Sequence, residues 1–462
     1  MRLISSQQRP RLAHNVSVNS HELANSICDT LQQHGHQAFL VGGCVRDLLL
    51  GRQPADYDVT TDAIPDRVSQ LFPDSIAVGA RFGVILVLRD GAKVEVATFR
   101  RDVGYSDGRH PDRVVYAATP EDDVSRRDFT VNGLLMRHDS GQVLDFVGGQ
   151  ADLRDRIVRA IGDPVRRFAE DKLRMLRAIR FAARFAYQIE PDTFAAIQKG
   201  APEIHAVSAE RIHEELTKLL TESAARRGFE LLDEAGLLQE VLPEVSAMKG
   251  VQQPPEYHPE GDVWMHTRIM LEALPAGVSP SLAWGVLLHD VGKPSTFRPA
   301  SETGDRIRFD SHVEVGVRIA GEICRRLKFS KDETEQVQAL VANHMKFKDV
   351  SQMRTSTLKR FVRLPAFEEH LELHRLDCQA SHGHLDAYEA IRSFLAQTPP
   401  EQVRPARLLT GDDLHEMGYS PGPAYQRILG ALEEGQLEGS LLTREQAIEF
   451  VRKHYPLAQV GR

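Results

Sequence analysis

The passage from residue 38 to residue 58 constrains the fold more than any other. An apolar run, Ala38–Val41, meets Gly42 and Gly43, and a helical pattern follows from Val45 to Leu50. Nine residues beyond Asp47, Asp56 and Asp58 flank Tyr57 at the start of a second strand-like run. A strand that ends in paired glycines and turns into a helix lets the backbone approach an anion and presents free N–H groups to it. Alternate residues of a strand face the same way, so the spacing puts both carboxylates on one side, where they can share a divalent cation such as Mg²⁺. Either half alone is common in chains that bind nothing. The fixed order of glycines, Arg46-Asp47 and paired aspartates is far more specific, and it points to phosphate chemistry with a divalent ion.

The flanking pattern fits a small sheet with helices. Leu23, Ile27 and Leu31 repeat at helical spacing from Ser20 to Gly35, and Gly83–Leu88 with Lys93–Phe99 reads as a hairpin. After about Gly149 strands vanish and helical periodicity runs almost to the end, broken at Pro202, 250–259, 275–280 and 398–405. The chain is therefore α+β, and its 462 residues suggest about three domains. With 42% hydrophobic and 26% charged residues it is globular. No apolar run approaches the ~20 residues of a membrane span, and the N-terminus has no apolar stretch for a secretory signal. Four scattered cysteines, Cys28, Cys44, Cys324 and Cys378, read as reduced thiols of a cytoplasmic protein. A net charge of −8 excludes a generic nucleic-acid coat. Between Asp152 and Arg184, however, ten basic residues face five acidic ones, which suits either a local RNA patch or a solvated helix face.

Further motifs follow in order: Arg126–Asn132, then Arg167–Arg174, then a helix continuing to Phe185. With the passage at 41–58 they resemble the signature of the class II tRNA nucleotidyltransferases and bacterial poly(A) polymerases, strongly over roughly residues 20–235 and more weakly beyond. The resemblance implies a nucleotidyltransferase head (21–148) after a 20-residue tail, an all-α neck (149–235), an HD domain (236–400) and a C-terminal helical segment (401–462). It implies tRNA as partner and CTP and ATP as substrates. Asp56 and Asp58 would hold two Mg²⁺ ions, and Glu95 is a candidate third carboxylate, equally readable as an exposed strand residue. Gly42, Gly43, Arg46, Asp47, Arg127, Asp128, Asn132 and Arg177 would bind nucleotide. Asp128 and Asn132, four apart, share a face if helical. Asp171 and Arg174, three apart on a helix, would form an amino-acid template for the base, with Glu170 steadying the arginine. The spacing alone fits a plain ion pair equally well.

Poly(A) enzymes of this family tend to carry an extra basic residue where this chain has Ala80, beside Arg81 and Phe82, which counts against tailing. Arg101, Asp102 and Arg109 resemble the family's flexible loop, which CC-adding enzymes largely lack; an A-adding enzyme keeps it and stays open. Farther on, His289-Asp290 ends an apolar helix, with His266 upstream and His312, His344 and Asp377 downstream. This order resembles HD-domain phosphohydrolases, with His266, His289, Asp290 and Asp377 as core ligands for Mn²⁺, Ni²⁺ or Zn²⁺. Glu314 stands two residues after His312, where relatives often have glutamate directly after the histidine. Leu408–Pro423 resembles the segment after the HD part in bacterial CCA-adding enzymes, with Gln426 where many relatives have glycine. A chain that is chiefly an HD phosphohydrolase with an RNA-binding head is the competing reading.

Overall fold

The computed structural model describes residues 19–79, 83–104, 112–116 and 119–457. The chain forms two compact units, one of residues up to Glu215 plus Leu231–Val241, the other of Leu216–Glu230 plus Leu242–Arg462.

The first unit opens with the helix Ser20–Gln33. Asn19 caps it by accepting from the Glu22 backbone N–H, and Glu22 accepts from Asn19 in return, which satisfies two donors a helix start otherwise leaves unpaired. Leu23, Ala24, Ile27, Cys28 and Leu31 are buried, as the spacing predicts. This face packs on β1 (Ala38–Val41) and β5 (Ala92–Thr98). The sheet also contains β2 (Asp58–Thr61), β3 (Ser75–Gly79), β4 (Val84–Arg89), β8 (Leu134–Met136) and β9 (Val143–Asp145), in the order β3-β4-β5-β2-β1-β8-β9. It is mixed: β2 and β5 run parallel and the other neighbours antiparallel. Central β1 is buried throughout, whereas β5 alternates buried and exposed residues, the pattern of a strand with one covered face. A separate hairpin, β6 (Arg100–Val103) with β7 (Arg113–Tyr116), follows β5.

Beyond the sheet the unit is helical, with one departure from expectation. Strands do not vanish after Gly149: β10 (Ile157–Val158) and β11 (Gln188–Ile189) form a parallel pair. Two-residue strands are too short for a period-2 pattern to register. The helices Pro164–Glu170 and Leu173–Phe185 follow β10, and the latter buries ten of its thirteen residues.

The second unit is helical. Its helix Pro280–Leu288 is buried from Leu282 onward, and the Trp284 indole N–H donates to Thr217 Oγ1 at 2.9 Å. Val263–Glu272, His312–Arg326, Lys331–Asn343 and Phe367–Ala380 are the other helices that matter below. The C-terminal residues form their own core around Leu414, Ile428 and Leu432. Among the described residues, no helix is long and apolar enough to cross a membrane. All four cysteines are free and buried.

Candidate active site and metal centre

A cleft of about 510 Å³ in the first unit is lined by Gly42, Gly43, Asp58, Asp128, Asn132 and Asp171, and by eight arginines against those three carboxylates. Such an excess of guanidinium groups suits a polyanion, because each can bind phosphate oxygens in a fork. Gly42 (φ 76°, ψ −130°) precedes the helix Gly43–Leu49. That positive φ favours glycine, and a Cβ there would lie 3.3 Å from the Arg127 guanidinium. The turn therefore keeps both its conformation and its clearance only without a side chain.

Arg46 is 5% exposed. It donates from Nε to Asp47 at 2.9 Å and from Nη1 to Asn132 Oδ1 at 2.6 Å, and lies over the Phe185 ring. Asp47, expected at the nucleotide, does not line the cleft; its carboxylate holds Arg46 instead. Asp128 accepts from Arg177 Nε and Nη2 at 2.9 and 2.7 Å, and from Asn132 Nδ2 at 3.1 Å. Burial opposes ionisation of Asp128, but the Arg177 guanidinium outweighs it and holds the carboxyl down at about 2. Asp128 and Asn132 do not share an α-helix, since Thr130–Asn132 is a short 3-10 turn; they meet nonetheless. Sequence reasoning missed Asp123, fully buried, which accepts from Arg126 at 2.6 Å, Arg127 at 3.0 Å and Thr60 at 3.2 Å. Its only signal was its place four residues before Arg127.

The expected template pair is not on one helix. The Pro164–Glu170 helix ends at Asp171, which is extended (φ −151°, ψ 107°), and Arg174 belongs to the next helix, Leu173–Phe185. The Arg174 backbone N–H donates to the Asp171 carbonyl at 3.1 Å, but the two side chains do not bond each other. Arg174 Nη1 donates to Glu170 Oε2 at 2.8 Å and to the Arg167 carbonyl, while Nη2 donates to the Arg126 carbonyl. Asp171 instead accepts both Nη groups of Arg211 at 3.2 and 2.7 Å. The plain ion pair is thus absent, and each member has its own support. Arg211, forty residues on, carried no sequence signal.

Asp56 lies in the exposed bend before β2, and only Asp58 is on the strand, so the two are not alternate residues of one strand as expected. Asp58 is paired in register with Glu95 on parallel β5, which sends both side chains to the same face. Burial, reinforced by Glu95 and Asp56 and partly offset by Arg127, pushes the Asp58 carboxyl up to about 6. Asp58 and Glu95, with Asp56 near enough to act on the charge of Asp58, are hard-oxygen donors of the kind a divalent cation takes, although the three carboxylates do not close to within 4.8 Å of one another. Asp56 and Glu95 do not line the cleft itself. Arg101 and Asp102 lie on β6, where Arg101 Nη2 meets Asp122 at 2.5 Å. Arg109 and the Ala80–Phe82 stretch fall outside the described residues.

In the second unit, His266, His289, Asp290 and Asp377 converge from the helix Val263–Glu272, the end of Pro280–Leu288 and the helix Phe367–Ala380. His266 Nε2 lies 3.1 Å from Asp377 Oδ1, and His289 Nε2 3.2 Å from Asp290 Oδ2. His312 and His344 join them, with Nε2 3.9 and 3.7 Å from Asp290 Oδ1. The approach depends on Gly292, where a Cβ would lie 2.1 Å from the His312 carbonyl. Each of the four histidines turns Nδ1 to an acceptor: Glu260 for His266, and the Val286, Phe309 and Val341 carbonyls for the others, at 2.7–2.9 Å. All four Nε2 atoms are buried without a hydrogen bond, a loss of roughly 1–3 kcal/mol each if nothing takes the lone pair. Burial works against a charge on His266, but Asp377 and Glu260 lift its pKa to about 9, so its Nε2 holds a proton toward Asp377 that a bound ion would displace to free the lone pair; burial lowers His344 to about 4. Lys293 Nζ holds Asp290 Oδ2 at 2.7 Å and Gln253 Oε1 at 2.6 Å. Imidazoles with a carboxylate are donors that suit a transition-metal ion.

A mixed sheet with carboxylates on its central strands, an arginine-lined cleft, and helices bearing this His/Asp cluster define a nucleotidyltransferase with an HD domain. Residues 38–159 match the poly A polymerase head domain, 186–249 the probable RNA and SrmB- binding site of polymerase A, and 262–375 the HD domain. A CCA-adding enzyme of Levilactobacillus brevis is 32% identical over 434 residues, 92% of this chain and 96% of its own. That of Geobacillus stearothermophilus is 43% identical over 214 residues, 46% of this chain and 53% of its own. The crystal structure of the Bacillus stearothermophilus CCA-adding enzyme in complex with CTP aligns with 93% of this chain and 97% of its own, at 27% identity and a TM-score of 0.70. A Thermotoga maritima CCA-adding enzyme complexed with tRNA shares the fold over 95% of this chain and 96% of its own (19% identity, TM-score 0.57). The chain belongs to the CCA-adding enzyme family.

Proposed function

We propose that this chain adds the 3′-terminal CCA to tRNA from CTP and ATP without a nucleic-acid template. The observation that carries the reading is the separate support of Asp171 and Arg174. A carboxylate fixed by Arg211 and a guanidinium fixed by Glu170 and two carbonyls offer acceptors and donors to a base edge, much as a complementary base would. The arginines of the cleft bind the triphosphate, with Arg46, Arg127 and Arg177 held by Asp47, Asp123 and Asp128. Asp56, Asp58 and Glu95 would hold Mg²⁺, which supplies charge neutralisation at the reacting phosphate and the 3′-hydroxyl. The protein's own part is to bind, orient and neutralise, since phosphoryl transfer asks little covalent chemistry of it. Division at 149, 236 and 401 into head, neck, HD and C-terminal parts, and a cytoplasmic location, belong to the same reading. The test is incubation of tRNA lacking its 3′ end with CTP alone, ATP alone and both, followed by sequencing of products. CCA only with both nucleotides supports it; a single A or a long A tail from ATP alone overturns it.

A second activity is supported by the histidine cluster. We infer that His266, His289, Asp290 and Asp377 hold a transition-metal ion in a phosphohydrolase site, because their buried Nε2 lone pairs and carboxylates match such an ion's donors. Lys293, anchored between Asp290 and Gln253, places a cation where a phosphate would bind. Release of phosphate, or opening of a 2′,3′-cyclic phosphate, with Mn²⁺ or Ni²⁺ tests this; no hydrolysis under any metal leaves the cluster structural.

A further inference from the structure

We propose that Phe181 and Phe185 are positioning residues of the nucleotide cleft, their ring faces holding the guanidinium groups of Arg46, Arg177 and Arg180 ready for a triphosphate. The proposal rests on the reading that these arginines bind the nucleotide. The two phenylalanines lie four residues apart on the helix Leu173–Phe185, a spacing that puts them on one face. They are 5% and 6% exposed, and their rings stack with centroids 6.1 Å apart and planes inclined by 16°. Phe129 meets Phe181 edge-on at 5.8 Å and fixes the tilt of that ring. Guanidinium carbons lie over Phe181 from Arg180 at 4.5 Å, Arg177 at 5.3 Å and Arg46 at 5.5 Å. Over Phe185 lie those of Arg46 at 4.5 Å and of Arg52 and Arg184, each at 5.3 Å. All are within the ~6 Å at which a ring face attracts a cation.

Charge balance gives the rings their use. Eight arginines and three carboxylates line the cleft, so ion pairing alone leaves like charges crowded together before any substrate arrives. Carboxylates and amides also occupy the N–H groups that a phosphate needs. Arg46 gives Nε and Nη2 to Asp47 and Nη1 to Asn132, and Arg177 gives Nε and Nη2 to Asp128. A ring face attracts the cation through its quadrupole and takes up no N–H group. It therefore offsets the repulsion while leaving the remaining donors for phosphate oxygens. Arg46 needs this most. Burial pushes its pKa below the ordinary arginine value, Asp47 works against that, and Arg184 adds to it. As neutral groups, Phe181 and Phe185 stabilise the Arg46 charge without displacing Asp47 or Asn132.

The experiment uses the full chain with mono-, di- and trifluorophenylalanine in place of Phe181 and, separately, of Phe185. Fluorine keeps the ring's shape and apolar character while draining the negative potential of its face step by step. kcat and KM for CTP and ATP are measured with Mg²⁺ on tRNA lacking its 3′ end, with CTP dissociation constants and melting temperatures alongside. The expected result is a graded fall in kcat/KM of about 3- to 30-fold across each series, carried mainly by KM, with the melting temperature little changed. Phe181→Leu and Phe185→Leu, which remove the ring face altogether, should match or exceed the trifluoro variants. Values that stay level across the series, or rise with fluorine as stacking on a base would require, overturn the proposal. Leu variants that lose activity only together with melting temperature would then assign the rings to packing. A parent chain that binds CTP and adds no nucleotide overturns the CCA-adding reading instead, and the CTP dissociation constants across the same series then decide the role of the rings. A parent chain that does not bind CTP overturns both.

Discussion

Arg211→Ala tests whether the carboxylate proposed to read the base, Asp171, depends on a residue that need not touch the base. Arg211 grips Asp171 with two bonds of 3.2 and 2.7 Å, and both side chains are largely buried, 20% and 15% exposed. A hydrogen bond to a charged group contributes about 1.5–3 kcal/mol. Without the fork, Asp171 keeps only the Leu173 N–H at 3.0 Å and can turn away from the base. Loss of one such contact in the transition state corresponds to a fall of roughly 10- to 100-fold in kcat/KM for CTP and ATP, at 1.4 kcal/mol per tenfold. Discrimination against UTP and GTP should fall with it. The assay is kcat/KM for all four nucleotides on defined tRNA acceptors, with tRNA affinity measured alongside and expected to hold. Because Arg211 also lines the cleft, a cycle with Asp171→Asn separates the two routes. If Arg211 acts through Asp171, the double variant is no worse than the poorer single one. Fully additive losses would show that Arg211 meets the nucleotide directly and would refute the positioning argument.

Asp56→Ala or Asp58→Ala should lower nucleotide addition by several orders of magnitude and leave tRNA affinity within about twofold; parallel losses of both would contradict a metal-holding role. In chelator, Asp58→Asn should stabilise the chain. The Asp58 carboxyl, pushed up to about 6 from its ordinary value of 3.8, costs the folded state up to about 3 kcal/mol when it ionises. The gain should be full near pH 7.5, shrink as pH falls from about 6 to 4 and vanish below; a pH-independent melting difference rules out this cause. Gly292→Ala forces a Cβ to within 2.1 Å of the His312 carbonyl and should cost about 1–3 kcal/mol, read as a lowered melting temperature with Co²⁺ uptake reduced.

Local features were legible in the sequence, and tertiary supports were not. The buried spacing of Leu23, Ile27 and Leu31, the strand–glycine–helix turn and the hairpin over residues 84–98 all follow from periods and turn chemistry within a few residues. The break at Asp171 did not, because no glycine or proline marks it. It arises where the Asp171 carboxylate accepts the Leu173 N–H and starts the next helix. Arg211 was invisible as a support for a related reason: it is an ordinary charged residue until the fold buries it beside Asp171, and no local pattern encodes a partner 40 residues away. Asp123 lies three and four residues before Arg126 and Arg127, but nothing local foretells its full burial or its Thr60 partner 63 residues away. The histidine cluster was half legible: adjacency marked His289 and Asp290, but only the orientation of Nδ1 toward backbone carbonyls marks His312 and His344 as donors of the same kind.

The two centres differ in donor chemistry, and that difference predicts separable metal dependence. The head offers carboxylates alone, Asp56, Asp58 and Glu95, and such hard oxygen sets suit Mg²⁺. The second unit offers four imidazole lone pairs, which Mg²⁺ serves poorly and Mn²⁺, Co²⁺ or Ni²⁺ serve well. Nucleotide addition should therefore run on Mg²⁺ alone, while phosphate release by the same preparation should need an added transition metal. A His289→Ala/Asp290→Ala variant should lose phosphate release and keep at least half of its nucleotide addition, because neither residue belongs to the first unit. Measuring both activities on one preparation, first in Mg²⁺ and then with Mn²⁺ or Ni²⁺, decides the point. Hydrolysis that runs equally well on Mg²⁺, or that survives the double substitution, would place it at the head's carboxylates and remove the catalytic role argued for the histidines.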